Sequence, residues 1–227
     1  MHRTCGIHQP NFLPWPGYFY KIANVDEFVF LDNVDIEIGG SKAITHRTKI
    51  NSQNGASWLS NPIQKSQSKI ISELTYVHSD WKEKNLKTIF LNYKKAPYFN
   101  EVFPLVEKIF AFESNSLSDF NINSISVICD YLGIKTNFSK ASELNLIDTD
   151  RNGRIIEICK SRNCEVYFSG KGAVNYHDES LFKAHGVTIK YTDFSPKTYI
   201  QIHGEFVPGL SIIDLLFNEN DFRIKNK

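Results

Sequence analysis

A proline-containing segment between two short apolar runs constrains the fold of this 227-residue chain more than any other feature. The runs Thr4–Ile7 and Glu27–Leu31 predict two buried strands, and residues 17–24 fit a short helix between them. The loop before the helix contains three prolines between residues 10 and 16. Because proline fixes a backbone dihedral and lacks an amide donor, this loop is predicted to be stiff and to lie outside any sheet ladder.

Two polar residues follow the ends of these strands. His8 comes directly after the first strand and Asp32 directly after the second. In a parallel sheet the carboxyl ends of the strands line the crevice where ligands bind, so both residues are candidate catalytic groups. The alternative is that His8 is a hydrogen-bonded core histidine. The same region supplies four candidate substrate-binding residues: Gln9, Asn11, Trp15 and Tyr18.

The residues after Asp32 predict an inserted β-hairpin. His46–Ile50 and Ser57–Ile63 are strand-like, and an Asn-Gly turn joins them. Arg47 lies on the first of these strands, and we expect the hairpin to bring it near the crevice at His8. A guanidinium can donate two parallel hydrogen bonds to a phosphate or carboxylate, so Arg47 is a candidate substrate-binding residue. The alternative is a solvated arginine on an edge strand.

The rest of the chain predicts helices and then alternating strands and helices. Residues 79–132 form the predicted helical insertion, with Ser79 as its first N-cap and Gly133 as its last C-cap. Further strands are predicted at Ile134–Phe138, Glu165–Phe168 and Val187–Tyr191, and helices at Arg154–Ser161 and Ser180–His185. This alternation is typical of βαβ units. The predicted fold is one α/β domain over residues 1–227, with a Rossmann-like, mostly parallel sheet, a nucleotidyltransferase-like core, the hairpin and the helical insertion.

A glycine-containing loop, Ser169-Gly170-Lys171-Gly172, directly follows a predicted strand. Glycines at a strand end let backbone amides approach an anion, and the lysine adds a positive charge. We therefore take these four residues and the nearby Tyr176 as candidate substrate-binding residues. The spacing is neither a Walker A motif nor a dinucleotide fingerprint, so an ordinary turn is the alternative.

Polar residues also recur near the end of the chain. Gln201, His203 and Glu205 alternate, so on a strand they would share one face, which is either a solvated edge or a wall of a polar pocket. Gln201 and His203 are therefore candidate substrate-binding residues. Ser211 followed by Asp214 predicts the cap and the third residue of a final helix. No metal site is predicted, because paired ligand spacing is missing.

Composition narrows the class of protein. The charged fraction is 22% and the formal net charge is +1, so the basic excess typical of nucleic-acid-binding proteins is missing. No apolar run is long enough for a signal peptide or a membrane span. The four cysteines have neither CxxC nor zinc spacing, and they are predicted to be reduced in a cytoplasmic protein. The oligomeric state is left open.

Several motifs follow one another along the chain: IHQPNFLPWPGYF, DEFVFLDNV, HRTKI, NGASWLSNPI, YKKAPYF, YFSGKGAVNY and QIHGEFVPGLSIIDLLFN. In these motifs the chain resembles the WbqC-like proteins, which occur in bacterial gene clusters for O-antigen and related surface polysaccharides. The resemblance implies a transferase that moves glycyl or a similar aminoacyl group to the amine of a nucleotide-linked amino sugar.

The implied reaction assigns roles to the candidate residues. His8 or Asp32 would accept the proton of the attacking amine. What activates the acyl group is open: ATP with Mg²⁺ in the same site, a charged tRNA or a thioester. The alternatives are a nucleotidyl- or adenylate-forming transferase and a non-catalytic sugar-nucleotide-binding module. Phosphates would be held by Arg47 and the loop Ser169–Gly172, and a ring would pack on Trp15, Tyr18 or Tyr176.

Overall fold

Parallel strands form the centre of the computed structural model, which describes residues 2–40, 43–64, 66, 68–77, 80–147 and 150–221. Its strands are β1 (Thr4–His8), β2 (Glu27–Phe30), β3 (Arg47–Ser52), β4 (Gly55–Ser60), β5 (Asn137–Lys140), β6 (Val166–Ser169) and β7 (Thr188–Tyr191). Five of these strands pair in parallel in the order β5-β2-β1-β6-β7, and β3 and β4 form a separate antiparallel hairpin. The predicted α/β class, with a Rossmann-like parallel sheet and an added hairpin, is confirmed.

The helices are α1 (Pro16–Ala23), α2 (Asp80–Tyr93), α3 (Phe99–Phe110), α4 (Leu117–Tyr131), α5 (Arg151–Ser161), α6 (Glu179–Ala184) and α7 (Ile212–Asn218). Three of them, α2 to α4, lie where the helical insertion was predicted. Ser79, the predicted cap of α2, falls outside the described residues. Within the described part of the chain, no helix has both the length and the apolar character that crossing a membrane requires.

The turn after α4 explains why β5 begins later than predicted. Gly133 has φ +65, its N–H donates to Asp130 at 3.1 Å, and the N–H of Ile134 donates to Cys129 at 2.9 Å. These two bonds form a Schellman motif, which confirms Gly133 as the C-cap. Because Ile134 belongs to this helix end, the strand can begin only at Asn137.

Two apolar clusters cover the two faces of the sheet. Side chains alternate along β2, so Phe28 and Phe30 join one cluster while Val29 joins the other. Helices α1 to α4 and α7 pack on the Phe28 side, and α5 and α6 pack on the Val29 side. The sheet is therefore buried on both faces, as is usual for parallel sheets.

A buried carboxylate lies at the amino ends of the parallel strands. Glu27 is 1% exposed, and its oxygens accept hydrogen bonds from Arg3 at 2.5 Å, from Arg162 at 3.1 Å and from Asn137 at 3.1 Å. The contacts join β2 to the chain before β1, to the end of α5 and to β5. A carboxylate buried to this extent depends on such partners, because burying an unpaired charge is strongly unfavourable.

Replacing Arg162 by methionine tests this arrangement. We expect Arg162→Met to lower the free energy of unfolding by about 1–3 kcal/mol, because the buried carboxylate loses charged hydrogen bonds. Urea denaturation at neutral pH measures the change, and the exposed Lys160→Met on the same helix is the control, with an expected effect within about 0.5 kcal/mol. Equal stability of the two variants would show that the ion pair contributes little. The single-domain organisation stays a prediction, and it requires one cooperative unfolding transition in the same experiment.

Candidate functional site

A cavity lies at the carboxyl end of the central strand, β1, where the strand order of the sheet reverses direction. From β1 the sheet extends through β2 to β5 on one side and through β6 to β7 on the other. In open parallel sheets such a switch point, at the carboxyl ends of the strands, is where ligands bind. The cavity measures about 200 Å³ and is lined by His8, Trp15, Gly17, Tyr18, Lys21, Gly170, Lys171, Gly172, Thr192 and Phe194. We call it the histidine cavity.

The imidazole of His8 is neutral in this cavity. Nδ1 lies 3.2 Å from the carbonyl oxygen of Gln9, and because a carbonyl can only accept, Nδ1 carries the proton and Nε2 keeps its lone pair. The ring also meets Tyr18 edge to face, with ring centroids 5.0 Å apart. Burial, assisted by the positive charge of Lys21, lowers the pKa of His8 to about 4. The side chain is therefore a proton acceptor at neutral pH.

Lys21 is a site residue that the sequence analysis missed. It is 5% exposed, its Nζ donates to the carbonyl of Ile7 at 2.6 Å, and burial lowers its pKa to about 8. A buried cation beside a neutral histidine attracts an anionic or carbonyl group of a ligand. Helical spacing could have identified it, because Lys21 follows Tyr18 by three positions and so shares its face of α1.

The proline loop that carries His8 is held by remote side chains. Asn121 in α4 donates to the carbonyl of Pro10 at 2.8 Å, and Ser211 at the start of α7 donates to the carbonyl of Leu13 at 2.7 Å. Leu13 has φ +39 although it is not glycine, a conformation that persists only where surrounding contacts enforce it. The loop is thus fixed from outside as well as by its prolines.

The glycine loop forms the opposite wall of the cavity. Gly170, Lys171 and Gly172 line it, and a 3₁₀ helix begins at Lys171. Ser169 is 1% exposed and ends β6 below the loop. Tyr176 is exposed, and its ring lies under the guanidinium of Arg151 at 5.1 Å. The structure therefore brings three of the five predicted loop residues to the cavity and places Ser169 and Tyr176 outside its lining.

Asp32 has a structural position and does not line the cavity. It is 1% exposed. Its carboxylate accepts hydrogen bonds from the N–H and the hydroxyl of Ser142, both at 2.8 Å, and from the hydroxyl of Ser118 at 3.3 Å. These bonds tie the end of β2 to α4 and to the chain after β5. We correct the prediction that Asp32 is a candidate base, because its oxygens are committed to these donors.

A second, smaller cavity lies on the other side of Trp15. It measures about 160 Å³ and is lined by Asn11, Phe12, Pro14, Trp15, Ile44, Thr48, Lys49, Trp58 and Gly209. We call it the tryptophan cavity. The indole of Trp15 belongs to both linings. Gly17 allows this placement, since a Cβ there would collide with the Trp15 ring.

Two other predicted binding residues, Gln9 and Arg47, contact protein groups. The Gln9 side chain donates to the carbonyl of Asp35 at 3.4 Å and accepts from the hydroxyl of Thr45 at 3.1 Å. The guanidinium of Arg47 lies 4.1 Å from the Trp58 ring centroid and donates to the carbonyl of Ala43 at 3.0 Å. Arg47 does not line the histidine cavity, and its expected proximity to His8 stays a prediction. Arg47 instead supports one wall of the tryptophan cavity.

Residues 201–205 form no strand, because side-chain bonds close this segment into a loop. Gln201 accepts from the N–H of Val207 at 2.7 Å and donates to its carbonyl at 3.0 Å. It also donates to the buried Asp214 at 2.8 Å. Ser211 caps α7 as predicted, whereas the Asp214 carboxylate accepts from Tyr93 and Tyr199.

His203 lies away from His8, in a third cavity of about 750 Å³ that Lys94 and Lys95 also line. Its Nε2 is 2.9 Å from the carbonyl of Asn92. The third cavity is larger than the histidine cavity, but its ionisable side chains are exposed or half-buried, whereas Lys21 in the histidine cavity is buried. Within the described ranges, no group of three His, Cys, Asp or Glu side chains is arranged to hold a metal ion.

The lowered pKa of His8 predicts how stability depends on pH. Its folded pKa of about 4 lies below the ordinary value of 6.5, so between these values the unfolded chain binds a proton that the folded chain does not. Stability is therefore lost as the pH falls from 6.5 towards 4, by up to about 1.4 kcal/mol per pH unit from this group.

The variant His8→Gln removes this contribution. We expect the stability of wild type, relative to the variant, to decline from pH 6.5 to pH 4 in urea denaturation at a series of pH values. The other histidines are common to both proteins, so the difference isolates His8. A constant difference over that range would contradict the neutral, buried state of the imidazole.

Comparisons with known proteins identify the family. Residues 9–225 match the model of the WbqC-like protein family. The chain is 31% identical over 220 residues to "Uncharacterized protein Rv1507c" of Mycobacterium tuberculosis (strain ATCC 25618 / H37Rv), and the match covers 95% of this chain and 94% of that protein. No solved structure matches the chain. The match over most of the sequence shows that this protein belongs to the WbqC-like protein family.

Proposed function

We propose that the protein transfers an aminoacyl group, glycyl or one of similar size, to the amine of a nucleotide-linked amino sugar in bacterial surface-polysaccharide synthesis. The observation that carries the proposal is the histidine cavity, where neutral His8, the buried cation Lys21 and the loop Gly170–Gly172 meet at the switch point of the sheet. Family membership supports the setting. The four free thiols fit the expected cytoplasmic location.

The chemistry requires a base that is unprotonated at neutral pH. The amine nitrogen of the sugar forms a bond to the acyl carbon, the bond from that carbon to its leaving group breaks, and the leaving group takes the electron pair. The nitrogen must also lose a proton, which Nε2 of His8 accepts and then releases to the leaving group or to solvent. A pKa of about 4 keeps His8 available for this step, although it makes the imidazole a weak base.

Lys21 and the glycine loop stabilise negative charge in this proposal. As the amine adds to the acyl carbonyl, its oxygen becomes anionic, and a cation in a water-poor cavity stabilises that charge more than water would. Lys21 has the charge and the burial for this role. Lys171, exposed beside the loop glycines, would hold a phosphate of the substrate.

Mass spectrometry of reaction mixtures tests the proposal. Purified protein is incubated with nucleotide-linked amino sugars and with glycine or alanine, supplied as the free acid with ATP and Mg²⁺, as charged tRNA, or as a thioester. We expect one donor class to yield an aminoacylated sugar. Release of pyrophosphate without that product would instead indicate a nucleotidyl- or adenylate-forming transferase. Tight sugar-nucleotide binding without turnover would indicate a binding module.

The variant His8→Ala should lower kcat/KM by about 100-fold or more, the usual contribution of a general base. His185→Ala is the matched control, because it removes an exposed imidazole at the end of α6 and should leave the rate unchanged. Thermal denaturation shows whether both variants remain folded. Full activity of folded His8→Ala would exclude His8 as the base.

The lowered pKa of Lys21 predicts a difference from Lys21→Arg at high pH. Wild type loses the positive charge as the pH rises through about 8, whereas arginine stays protonated. The ratio of kcat/KM for wild type to that for Lys21→Arg should therefore fall between pH 8 and pH 10. The titration of the substrate amine is common to both enzymes and cancels in the ratio. A ratio that is independent of pH would show that the charge of Lys21 is not used.

A further inference from the structure

We infer that the tryptophan cavity binds the pyrimidine base of the nucleotide. The inference rests on the proposed function in taking the nucleotide to be the carrier of the amino sugar. Binding of a free pyrimidine nucleotide needs neither an acyl donor nor catalysis, so the two can be tested separately. The inference depends on the size of the cavity, its two indoles and one unpartnered amide.

The size of the cavity fits one six-membered ring. It measures about 160 Å³, and an engineered cavity of about 150 Å³ holds one benzene ring. Trp15 and Trp58 both line it, and they are 38% and 40% exposed. Exposed indoles are the side chains on which bases stack most readily, because every base has an aromatic face.

A buried amide provides the polar contact. Asn11 is 1% exposed and lines the cavity, and its Nδ2 has no hydrogen-bond partner among the residues that the structure describes. The described contact of its side chain is with the Thr45 hydroxyl, 3.3 Å from Oδ1. If the amide were rotated so that its nitrogen faced Thr45, its oxygen would be the atom without a partner, so one polar atom is unpaired in both orientations. Because an unpaired buried polar group is unfavourable, the site favours a ligand with a complementary carbonyl or imide group.

The polarity of the lining discriminates against other rings. A hexose carries several hydroxyl groups, and the cavity offers few partners for them, since the Thr48 hydroxyl already donates to the Leu13 carbonyl at 3.2 Å. Burying a hexose would leave hydroxyl groups without hydrogen bonds. A purine adds a second fused ring to the single six-membered ring for which the cavity has room. A pyrimidine presents a flat ring with ring carbonyls, which match the amide of Asn11.

The surroundings of the cavity suit the rest of a nucleotide. Lys49 lines it, is exposed, and lies with its Nζ 5.0 Å from the Trp58 ring centroid. Its charge can meet a phosphate attached through the ribose. Trp15 also lines the histidine cavity, so a nucleotide with its base in the tryptophan cavity would direct the attached sugar towards the neighbouring cavity that contains His8.

Binding of uridine 5′-monophosphate to the full chain, without donor or sugar, tests the inference. Isothermal titration calorimetry is used, with tryptophan fluorescence as a second signal. We expect adenosine 5′-monophosphate and ribose 5-phosphate to bind at least about 10-fold more weakly than the pyrimidine nucleotide. The inference would be overturned if adenosine 5′-monophosphate or ribose 5-phosphate bound as tightly as uridine 5′-monophosphate. It would also be overturned if uridine 5′-monophosphate did not bind at millimolar concentration.

Variants locate the binding. Trp58→Leu should weaken uridine 5′-monophosphate by about 10-fold or more, in line with the loss of one stacking contact, and Trp58→Phe should restore most of the affinity. Phe90→Leu is the control, since Phe90 is 41% exposed and lies outside the cavity. Asn11→Ala should also weaken binding, once thermal denaturation shows that it folds. Unchanged affinity in Trp58→Leu would place the nucleotide elsewhere and reject the inference.

The results separate this inference from the proposed function. Pyrimidine-selective binding without acyl transfer to any nucleotide amino sugar would support the cavity assignment and contradict the transferase. Acyl transfer by an enzyme that shows no preference for a pyrimidine nucleotide would support the transferase and contradict the cavity assignment.

Discussion

The proline loop after β1 depends on hydrogen bonds to its carbonyl groups, and much of the structure is arranged to supply them. Prolines remove amide donors from the loop, so its oxygens cannot be satisfied by a sheet ladder. Side chains and one backbone amide from elsewhere in the chain take that place. The donors are Tyr18 to Gln9, Asn121 to Pro10, Ser211 to Leu13 and the N–H of Ile212 to Pro14. These bonds bring α1, α4 and α7 against one stretch of backbone and fix the position of His8.

The amino and carboxyl ends of the parallel strands differ in structure. At the amino ends of the strands, Glu27 and its two arginines join strands and helices. At the carboxyl edge, loops stand apart, and both the histidine cavity and the tryptophan cavity adjoin the proline loop. The hairpin is joined to the start of α7, because the backbone carbonyl of Lys49 accepts a hydrogen bond from the N–H of Ser211 at 2.8 Å. The buried ion pairs and the histidine cavity therefore lie at opposite ends of the same strands.

The sequence predicted the architecture well, because strand and helix signals are local. Alternating strand and helix signals identified the parallel sheet, and they placed His8 and the glycine loop at strand ends, where both line one cavity. Local signals fail where a side chain reaches a distant partner. Asp32 meets Ser142, and Arg47 meets Trp58 across the hairpin.

The segment that contains Gln201 shows a second limit. Its polar neighbours alternate as in a strand, but one side chain bonding both backbone groups of Val207 turns the chain instead. Periodicity cannot register a bond of this kind. Lys21 was missed because a lysine on a short helix normally indicates a solvated face. Its burial, which lowers its pKa, becomes visible only in the folded structure.

The walls of the histidine cavity come from residues 8–21 and 170–194, which has a consequence for biosynthesis. A ribosome releases the proline loop long before β6 and α7 exist, so until then its oxygens are hydrated and its aromatic rings are exposed. Contacts between segments this distant in sequence form slowly, and exposed apolar surface in the interval promotes aggregation. The histidine cavity therefore forms only after the segment 170–194 has been made, and the proline loop beside it is fixed only when α7 packs against it.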